Sequence, residues 1–268
     1  MNHGSSRLPT TPAFLVRSVV VIPALNEDLC IADTVRHWLL RGAARVRVVD
    51  NGSTDQTGSL AAATGAEVLR EVRRGYGAAA WLGTQQLPER IEWILFSSAD
   101  GSDRLDEPGA AAFQSAIDAG ADLVLGERVS LAESRQHLGT IQRFGNVFCC
   151  RLLAQGWGHC FRDMASLRVI RRTAFEQLRL RDRGFGWNTE MQVRAVEEGL
   201  RIAEVPVRYH PRTLGQPKIS GSPLGILRAG WGILSIVTKL YSARGTRWQS
   251  QPTKPEPDRE AAGRTGSR

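Results

Sequence analysis

The sequence lacks the segments that would carry a protein into or across a membrane. No uninterrupted run of 18 apolar residues occurs, so no conventional membrane-spanning helix is expected. Residues 1–17 have no sustained apolar region of the signal-peptide kind, and we expect a flexible leader there. Four cysteines, Cys30, Cys149, Cys150 and Cys160, show no zinc-type spacing, and adjacent Cys149 and Cys150 are expected to be buried. These absences favour a protein of the reducing cytoplasm.

Acidic residues are missing from a long segment near the C-terminus. No Asp or Glu lies between Glu204 and Glu256, and the whole chain carries a net charge of +8. The basic residues of this segment are Arg208, Arg212, Lys218, Arg228, Lys239, Arg244, Arg247 and Lys254. A segment of one sign indicates an anionic partner, such as a phosphate group, a membrane surface or a nucleic acid. Nucleic acid is disfavoured because no aromatics are interleaved for base stacking, and none is predicted as a partner.

Short apolar runs alternate with helical patterns in the first half of the chain, with predicted strands at 18–22, 45–49, 66–69, 93–96 and 121–126. This alternation predicts an α/β fold with a doubly wound, mostly parallel sheet flanked by helices. Pro23 is expected to end the first strand, and Asn26 to cap the helix that follows. A dinucleotide-type Gly-rich turn after the first strand is absent, which argues against a nicotinamide cofactor. Further on, one helix is predicted at 136–155.

Polar loops follow the first, second and fourth strands, at Pro23–Glu27, Asp50–Asp55 and Ser98–Asp103. Parallel strands place all three loops at one edge of the sheet. The loops are rich in carboxylates, which would repel a pyrophosphate unless a divalent cation lay between them. Arg74, Lys218 and Arg128 add positive charge. The pattern therefore predicts a site for a metal-bridged nucleotide diphosphate.

Several motifs resemble the inverting glycosyltransferases of family 2. They are VVIPALNE at 20–27, VVDNGSTDQT at 48–57, RRGYG at 73–77 and FSSADGSD at 96–103. FGWNTEMQVRA, EVPVRY and KISG, in the second half, resemble the polyprenyl (dolichyl)-phosphate mannosyltransferase and glucosyltransferase branch. The resemblance implies a single GT-A-type nucleotide-binding domain at 18–222. It also implies a metal-dependent hexosyltransferase that moves a sugar, with inversion, from a UDP- or GDP-sugar to an acceptor, with polyprenyl phosphate favoured.

The same resemblance assigns roles on the donor side of the site. It implies that Asp100 is catalytic and holds Mg²⁺ or Mn²⁺. Because Mg²⁺ often uses only one or two carboxylates, Asp103 or Ser102 is expected to complete the protein's share of the ligands. The resemblance places Asp50 on the base, and it places Lys218 on the diphosphate or on the acceptor's phosphate. The residues implied to line the nucleotide are Pro23, Ala24, Glu27, Asp50, Arg74, Ser98 and Ala99. Asp55 is expected either to join this site or to cap the helix after it.

On the acceptor side, Arg128, Arg143, Arg212 or Lys218 are the cations expected to position an acceptor phosphate. An anionic lipid phosphate needs no general base, whereas a hydroxyl acceptor would need one. Glu190 is the candidate for that base, with an equal alternative as a charge at the N-terminus of its helix.

One departure keeps other functions open. Ser98 stands where the family commonly has the first carboxylate of Asp-x-Asp, and a hydroxyl is a weaker ligand for a hard cation. A glycosyltransferase with a soluble hydroxyl acceptor, or a catalytically silent nucleotide-sugar-binding homologue, therefore remains an alternative. Nucleotidyl transfer ranks low, because PALNE follows the first strand where a basic Gly-rich loop would be needed.

The composition of the last part of the chain predicts a helix followed by a tail. Residues 223–242 predict an amphipathic helix that lies in a membrane interface or, alternatively, packs on the domain. Residues 243–268 predict a disordered basic tail. The expected location is the cytoplasm, with peripheral contact at the inner face of the cytoplasmic membrane as an option. The sequence does not predict the sugar, the base or the oligomeric state.

Overall fold

The computed structural model describes residues 11–211, 230–232 and 234–242. They form a seven-stranded sheet in the order β3-β2-β1-β4-β6-β5-β7. The strands are β1 Ser18–Ala24, β2 Arg45–Asp50, β3 Glu67–Arg70, β4 Trp93–Phe96, β5 Leu123–Glu127, β6 Arg168–Arg171 and β7 Ile202–Pro206. Among the paired strands of the described residues, only β6 runs antiparallel to its neighbours, β4 and β5. The predicted doubly wound, mostly parallel sheet is therefore confirmed.

Helices cover both faces of the sheet. They are α1 Ile31–Leu40, α2 Thr57–Ala63, α3 Tyr76–Gly83, α4 Glu107–Asp118, α5 Ala132–Arg135, α6 Thr140–Trp157, α7 Arg172–Leu178 and α8 Trp187–Glu197. Residues 230–232 and 234–242 are also helical and are called α9 here. One core cluster joins the sheet to α1, α2 and α4, and includes Trp38 and Phe113. The other joins it to α3, α6, α7, α8 and α9, and includes Phe96 and Trp187.

The central strand β1 is buried on both sides. Val19, Val20, Val21 and Ile22 are fully buried, as expected for a β-branched strand between parallel neighbours. The prediction that Pro23 ends this strand is wrong. The strand continues to Ala24, which pairs with Asp50, because Pro23 fits the register opposite Val49 near the strand's end.

The turn after β1 also differs from the prediction. Asn26 does not cap a helix: it adopts a left-handed backbone with φ 51°. Helix α1 begins only at Ile31, after Cys30. The Asn26 side-chain oxygen instead accepts a hydrogen bond from the backbone N–H of Thr54, 2.7 Å away in the loop after β2. Asn26 therefore connects two strand-end loops.

The predicted single helix at 136–155 is two helices in the structure. Short α5 is followed by a turn, and α6 begins after Gly139, whose N–H donates to the side chain of Gln142 at 3.0 Å. The buried positions predicted for Cys149 and Cys150 are confirmed. The seven-residue helix α7, directly after β6, was not predicted.

Helix α9 packs on the domain along one face. Ile236, Val237 and Leu240 are buried in the same core cluster as Cys150 and Leu153 of α6. Trp231 and Leu234 remain exposed. This packing agrees with the alternative in which the helix lies on the domain, while residues 223–229 and 233 of the predicted segment lie outside the described residues. In the part of the chain that the structure describes, no helix is both long enough and apolar enough to cross a membrane.

Candidate active site

The loops after β1 and β2 are bonded to each other at the carboxyl edge of the sheet. The backbone N–H of buried Glu27 donates to Thr57 Oγ1 at 2.7 Å, and that of Asn26 donates to Ser53 Oγ at 2.9 Å. The predicted nucleotide residues Pro23 and Ala24 are the last two residues of β1 at the same edge. The predicted convergence of these two polar loops is therefore found in the structure.

Asp55 helps to fix this junction. Its carboxylate accepts hydrogen bonds from the Thr57 N–H at 3.0 Å and from the Asp28 N–H at 3.3 Å. Partial burial raises its pKa, but the hydrogen bonds from Thr57 and Asp28 outweigh burial and leave the pKa below the ordinary value. Asp55 is therefore not the N-cap residue of α2, which is Gln56, but its carboxylate accepts from Thr57, the first residue of that helix.

Asp50 and Arg74 lie against the same loop. Asp50 Oδ1 accepts a hydrogen bond from the Ser53 N–H at 2.8 Å. The guanidinium carbon of Arg74 lies 3.3 Å from the position that a Cβ on Gly52 would occupy, and the side chain is exposed. Gly52, with φ +85°, therefore lets the guanidinium lie over the turn that follows Asp50.

Asn51 holds the Arg74 segment in place, and sequence reasoning missed it. Its Oδ1 accepts from the Gly75 N–H at 2.8 Å, and its Nδ2 donates to the Arg73 carbonyl at 2.7 Å. The buried amide thus fixes the chain on either side of Arg74. The only sequence signal was its position directly after Asp50 at the end of β2.

Helix α1 fixes the loop after β4, which contains Asp100. Thr34 Oγ1 donates to the Ala99 carbonyl at 3.2 Å, and Trp38 Nε1 donates to Ser97 Oγ at 3.1 Å. His37 Nε2 accepts from the Leu105 N–H at 3.2 Å, and burial, followed by the charges of Arg41 and Arg104, lowers the pKa of His37 to about 4. The neutral imidazole is therefore the form that holds the loop, because a protonated ring could not accept this bond. None of these three residues was predicted, since a helical pattern does not show which side chains turn toward a distant loop.

A hydrogen-bond network surrounds Ser98, the residue that replaces a carboxylate. Asp103 Oδ2 accepts from the Ser98 N–H at 2.7 Å and from Ser166 Oγ at 2.6 Å, and the hydroxyls of Ser98 and Ser166 are 3.1 Å apart. Asp103 is almost fully buried, and this burial raises its pKa, with a further contribution from the charge of Asp100. Asp100 Oδ1 accepts from the Ser102 N–H at 3.1 Å and from Ser102 Oγ at 2.6 Å.

A buried cation lies behind this network. Arg168 on β6 is fully buried, and its guanidinium donates to the Asn188 carbonyl at 3.1 Å and to the Ala165 carbonyl. Burial lowers its pKa to about 10, although the charges of Tyr76, Asp103 and Asp163 act in the opposite direction. Arg168 therefore offsets part of the negative charge of the Asp103 carboxylate.

The residues present fit a cation only if the ligand supplies part of its coordination. Between residues 11 and 211, and in the described part of α9, no group of three or more His, Cys, Asp or Glu side chains is arranged around a metal position. Asp100 and Asp103 are nevertheless close enough for one charge to act on the other's pKa. Mg²⁺ commonly uses one or two carboxylates, together with waters and substrate phosphates. The loop therefore suits a cation shared with a diphosphate.

Arg128 is held by a buried carboxylate that sequence reasoning missed. Its Nε and terminal nitrogen donate to the two oxygens of Asp163 at 2.8 and 2.9 Å, and its backbone N–H donates to the same side chain at 2.8 Å. The guanidinium also lies over the ring of Tyr209 at 5.2 Å. Burial acts to lower the pKa of Arg128, but the bonds to Asp163 outweigh it and raise the pKa above the ordinary range. Arg128 is thus a fixed cation whose charge is partly neutralised.

The remaining predicted residues are spread more widely. Glu190 is buried in the first turn of α8. Its Oε2 accepts from the backbone N–H groups of Arg181 and Asp182 at 3.0 and 2.7 Å, and so fixes the loop before that helix. Arg143 on α6 donates to the carbonyls of Leu138 and Arg135, both at 2.8 Å, and so stabilises the turn before its helix. Arg212 and Lys218 lie outside the described residues.

Comparison with known proteins shows the family. The sequence profile of Glycosyl transferase family 2 matches residues 19–179. An uncharacterised glycosyltransferase of Mycobacterium tuberculosis is 36% identical over 219 residues, which cover 81% of this chain and 97% of the relative. A polyprenol monophosphomannose synthase of Mycolicibacterium smegmatis is 29% identical over 91% of this chain and 96% of its own length. A dolichyl-phosphate hexose transferase of Haloferax volcanii is 29% identical, with 75% and 85% covered.

Solved structures show the same fold at lower identity. Glucosyl-3-phosphoglycerate synthase from Mycobacterium tuberculosis, solved with Mn²⁺, UDP and phosphoglyceric acid, superposes with a TM-score of 0.62 at 20% identity, over 84% of this chain and 78% of that chain. This likeness confirms the predicted single GT-A-type fold. Together, the matched profile and the relatives show that the chain is a glycosyltransferase and belongs to family 2.

Proposed function

We propose that this protein transfers a sugar, with inversion at the anomeric carbon, from a nucleotide-diphosphate sugar to polyprenyl phosphate. The observation that carries the proposal is the joining of three strand-end loops at one sheet edge. The loops after β1 and β2 are bonded directly, and α1 connects the loop after β4 to them. Ligands of open α/β sheets bind at this edge. The relatives named for polyprenol and dolichyl-phosphate transfer support the acceptor class.

In this proposal the donor nucleotide lies over the ends of β1 and β2. Pro23, Ala24 and Glu27 line the base and ribose, and Asp50 accepts a hydrogen bond from a ring N–H of the base. Arg74 lies over Gly52, and Asn51 fixes the backbone on either side of it. In this position its guanidinium would bind an anionic group of the nucleotide. Ser98 and Ala99 contact the nucleotide from the end of β4.

The loop after β4 would hold Mg²⁺ or Mn²⁺ through Asp100, with Ser102 and Asp103 as supporting residues. When bound, the cation would stabilise the charge that develops on the departing diphosphate. Asp103 keeps the loop closed over Ser98 through its bonds to Ser98 and Ser166. Lys218 is proposed to contact the diphosphate or the acceptor's phosphate.

The acceptor phosphate is proposed to bind near Arg128, with Arg143 and Arg212 as further cations. A phosphate oxygen is already anionic, so the attack needs no proton acceptor. Glu190 is therefore not needed as a base in this proposal. Its Oε2 instead accepts hydrogen bonds from two backbone N–H groups. The catalytic work of the chain is then positioning and charge stabilisation.

A second candidate is transfer to a soluble acceptor. The fold neighbour solved with phosphoglyceric acid acts, by its name, on a small acceptor, which supports this alternative. In that case Glu190 would have to act as the base from a buried position, in which its Oε2 already accepts two backbone hydrogen bonds. A catalytically silent sugar-nucleotide-binding protein is the third reading, and it rests on Ser98.

One experiment separates these candidates. Purified full-length protein is incubated with Mn²⁺ or Mg²⁺, a panel of radiolabelled UDP- and GDP-sugars, and polyprenyl phosphate in detergent. The proposal predicts a lipid-soluble labelled product that Asp100→Asn abolishes and the surface control Asp118→Asn retains. Label transferred only to water-soluble acceptors would favour the second candidate, and nucleotide binding without transfer would favour the third.

A further inference from the structure

Helix α6 exposes large apolar side chains where a surface helix normally has polar ones. Phe144 is 74% exposed, Ile141 58%, Val147 47% and Phe148 44%. The rings of Phe144 and Phe148 stack, with centroids 6.5 Å apart and planes at 7°. Four such residues within eight positions form a contiguous apolar strip, which is uncommon on a surface that contacts only water.

The strip lies on the side of α6 that faces away from the core. The buried face of the helix consists of Asn146, Cys149, Cys150, Leu153 and Gly156. At 3.6 residues per turn, Phe144, Phe148 and Arg151 lie on the opposite side, with Ile141 and Val147 flanking them. The outward face is therefore apolar from Ile141 to Phe148 and carries a cation, Arg151, about one turn beyond Phe148.

The charge around the strip has one sign. No Asp or Glu occurs between Glu133 and Asp163, whereas Arg135, Arg143, Arg151 and Arg162 lie in that interval. Both arginines of α6, Arg143 and Arg151, are exposed. An apolar face with basic residues around it matches the requirements of a helix that lies in the interface of an anionic bilayer. A second copy of α6 fits less well, because it would bring the same cations together with no acid on the helix to pair with them.

The helix that carries the strip also contacts the candidate acceptor site. Asn146, on the buried face of α6 opposite Phe144 and Phe148, donates to the Arg162 carbonyl at 3.1 Å and accepts from the Met164 N–H at 2.8 Å. Between these two partners is Asp163, which holds Arg128. Helix α6 therefore carries the strip on its outward face and, on its inward face, a contact to the segment that holds the cation proposed to receive a lipid phosphate.

We propose that the outward face of α6, built from Ile141, Phe144, Val147 and Phe148, docks on the surface of an anionic lipid bilayer. The aromatic side chains enter the interface, and Arg151 contacts the lipid phosphates. This inference deepens the proposed function and rests on it only for the lipid acceptor. Docking itself needs neither donor nor transfer.

The test is flotation of the full-length protein with vesicles, without nucleotide sugar. The vesicles consist of phosphatidylcholine alone or with about one third phosphatidylglycerol. Phe144→Ser with Phe148→Ser should lower the vesicle partition coefficient by about tenfold or more. Leu40→Ser, which changes a comparably exposed leucine on α1, should leave it unchanged. Arg151→Gln should lower it about fivefold with the anionic vesicles, and less at high salt.

Several outcomes would overturn the inference. Wild-type protein that does not float, or a double variant that floats as well as wild type, excludes docking through α6. If the double variant instead converts a dimer to a monomer in sedimentation velocity with unchanged flotation, the strip binds a second copy. Circular dichroism and thermal unfolding verify that the variants are folded. Sugar transfer to polyprenyl phosphate in detergent tests the proposed function separately, and the double variant should retain it.

Discussion

Acidification should release the loop that contains Asp100, because His37 holds that loop only in its neutral form. The ring nitrogen Nε2 accepts from the Leu105 N–H at 3.2 Å, and the ring packs edge-on against Trp38 with centroids 5.0 Å apart. Burial is the main cause that lowers the pKa of His37 to about 4, from 6.5. Arg41, Arg104 and His210 add repulsion of the same sign.

The sign and size of the effect follow from the two pKa values. As pH falls, the imidazole binds a proton first in the unfolded chain, where its pKa is 6.5, and only later in the folded chain, where its pKa is about 4. The contribution of His37 to the free energy of unfolding is therefore fully present above about pH 6.5 and is lost as the pH falls to about 4. The loss from this residue should reach about 2 kcal/mol at about pH 5, and about 3 kcal/mol once the folded form is also protonated.

The assay is urea denaturation at about pH 7.5 and about pH 5, for wild type and for His37→Gln. Glutamine offers a side-chain oxygen to the Leu105 N–H but does not titrate. The free energy of unfolding of the variant should therefore fall by about 2 kcal/mol less than that of wild type over this interval. Because burial also lowers the pKa of His159 and of His210, both proteins retain some acid sensitivity. Equal pH dependence in the two proteins would refute this role of His37.

Three further predictions concern side chains that the structure brings together. Asp163→Ala should lower the free energy of unfolding, measured by urea denaturation, by about 3–5 kcal/mol, since it leaves the Arg128 guanidinium without its buried partner. A smaller loss for the double variant with Arg128→Met would confirm the pairing, and equal losses would contradict it. Trp38→Phe should cost about 1–3 kcal/mol, because Ser97 Oγ loses its indole donor in a buried site; a loss within the error of thermal unfolding would show that this bond does not matter. Asn51→Ala should weaken binding of a nucleotide diphosphate at least as much as Arg74→Ala, because the amide of Asn51 bonds to the residues on both sides of Arg74. Unchanged affinity of Asn51→Ala in calorimetry would show that Asn51 does not support nucleotide binding.

The sheet and the positions of the three polar loops were predictable because they depend on strong local patterns. Buried β-branched runs such as Val19–Ile22 predict strands. Because parallel strands end at the same edge of the sheet, the chain direction alone places the polar loop after Phe96 beside the loops that follow the first two strands. The details that differ depend on tertiary contacts. Asn26 forms a bond with the neighbouring loop rather than a helix cap, and α6 begins only after Gly139.

The supporting residues of the site could not be predicted in this way. Thr34, His37 and Trp38 contact a loop about 60 residues further along the chain, and nothing in the sequence of α1 identifies that partner. Likewise, the lone Asp163 after a loop does not reveal that it binds Arg128. The strip on α6 was missed because the sequence does not show which side of that helix faces the core.

The sheet edge is proposed to bind a nucleotide diphosphate through a cation held by Asp100. Calorimetric titration with UDP and with GDP, in the presence and absence of Mn²⁺, measures this binding. We expect wild type to bind one of the two nucleotides much more tightly with Mn²⁺, Asp100→Asn to lose this gain, and Asp118→Asn to keep it. Failure of wild type to bind either nucleotide, or an equal gain from Mn²⁺ in Asp100→Asn, would refute the proposed cation site.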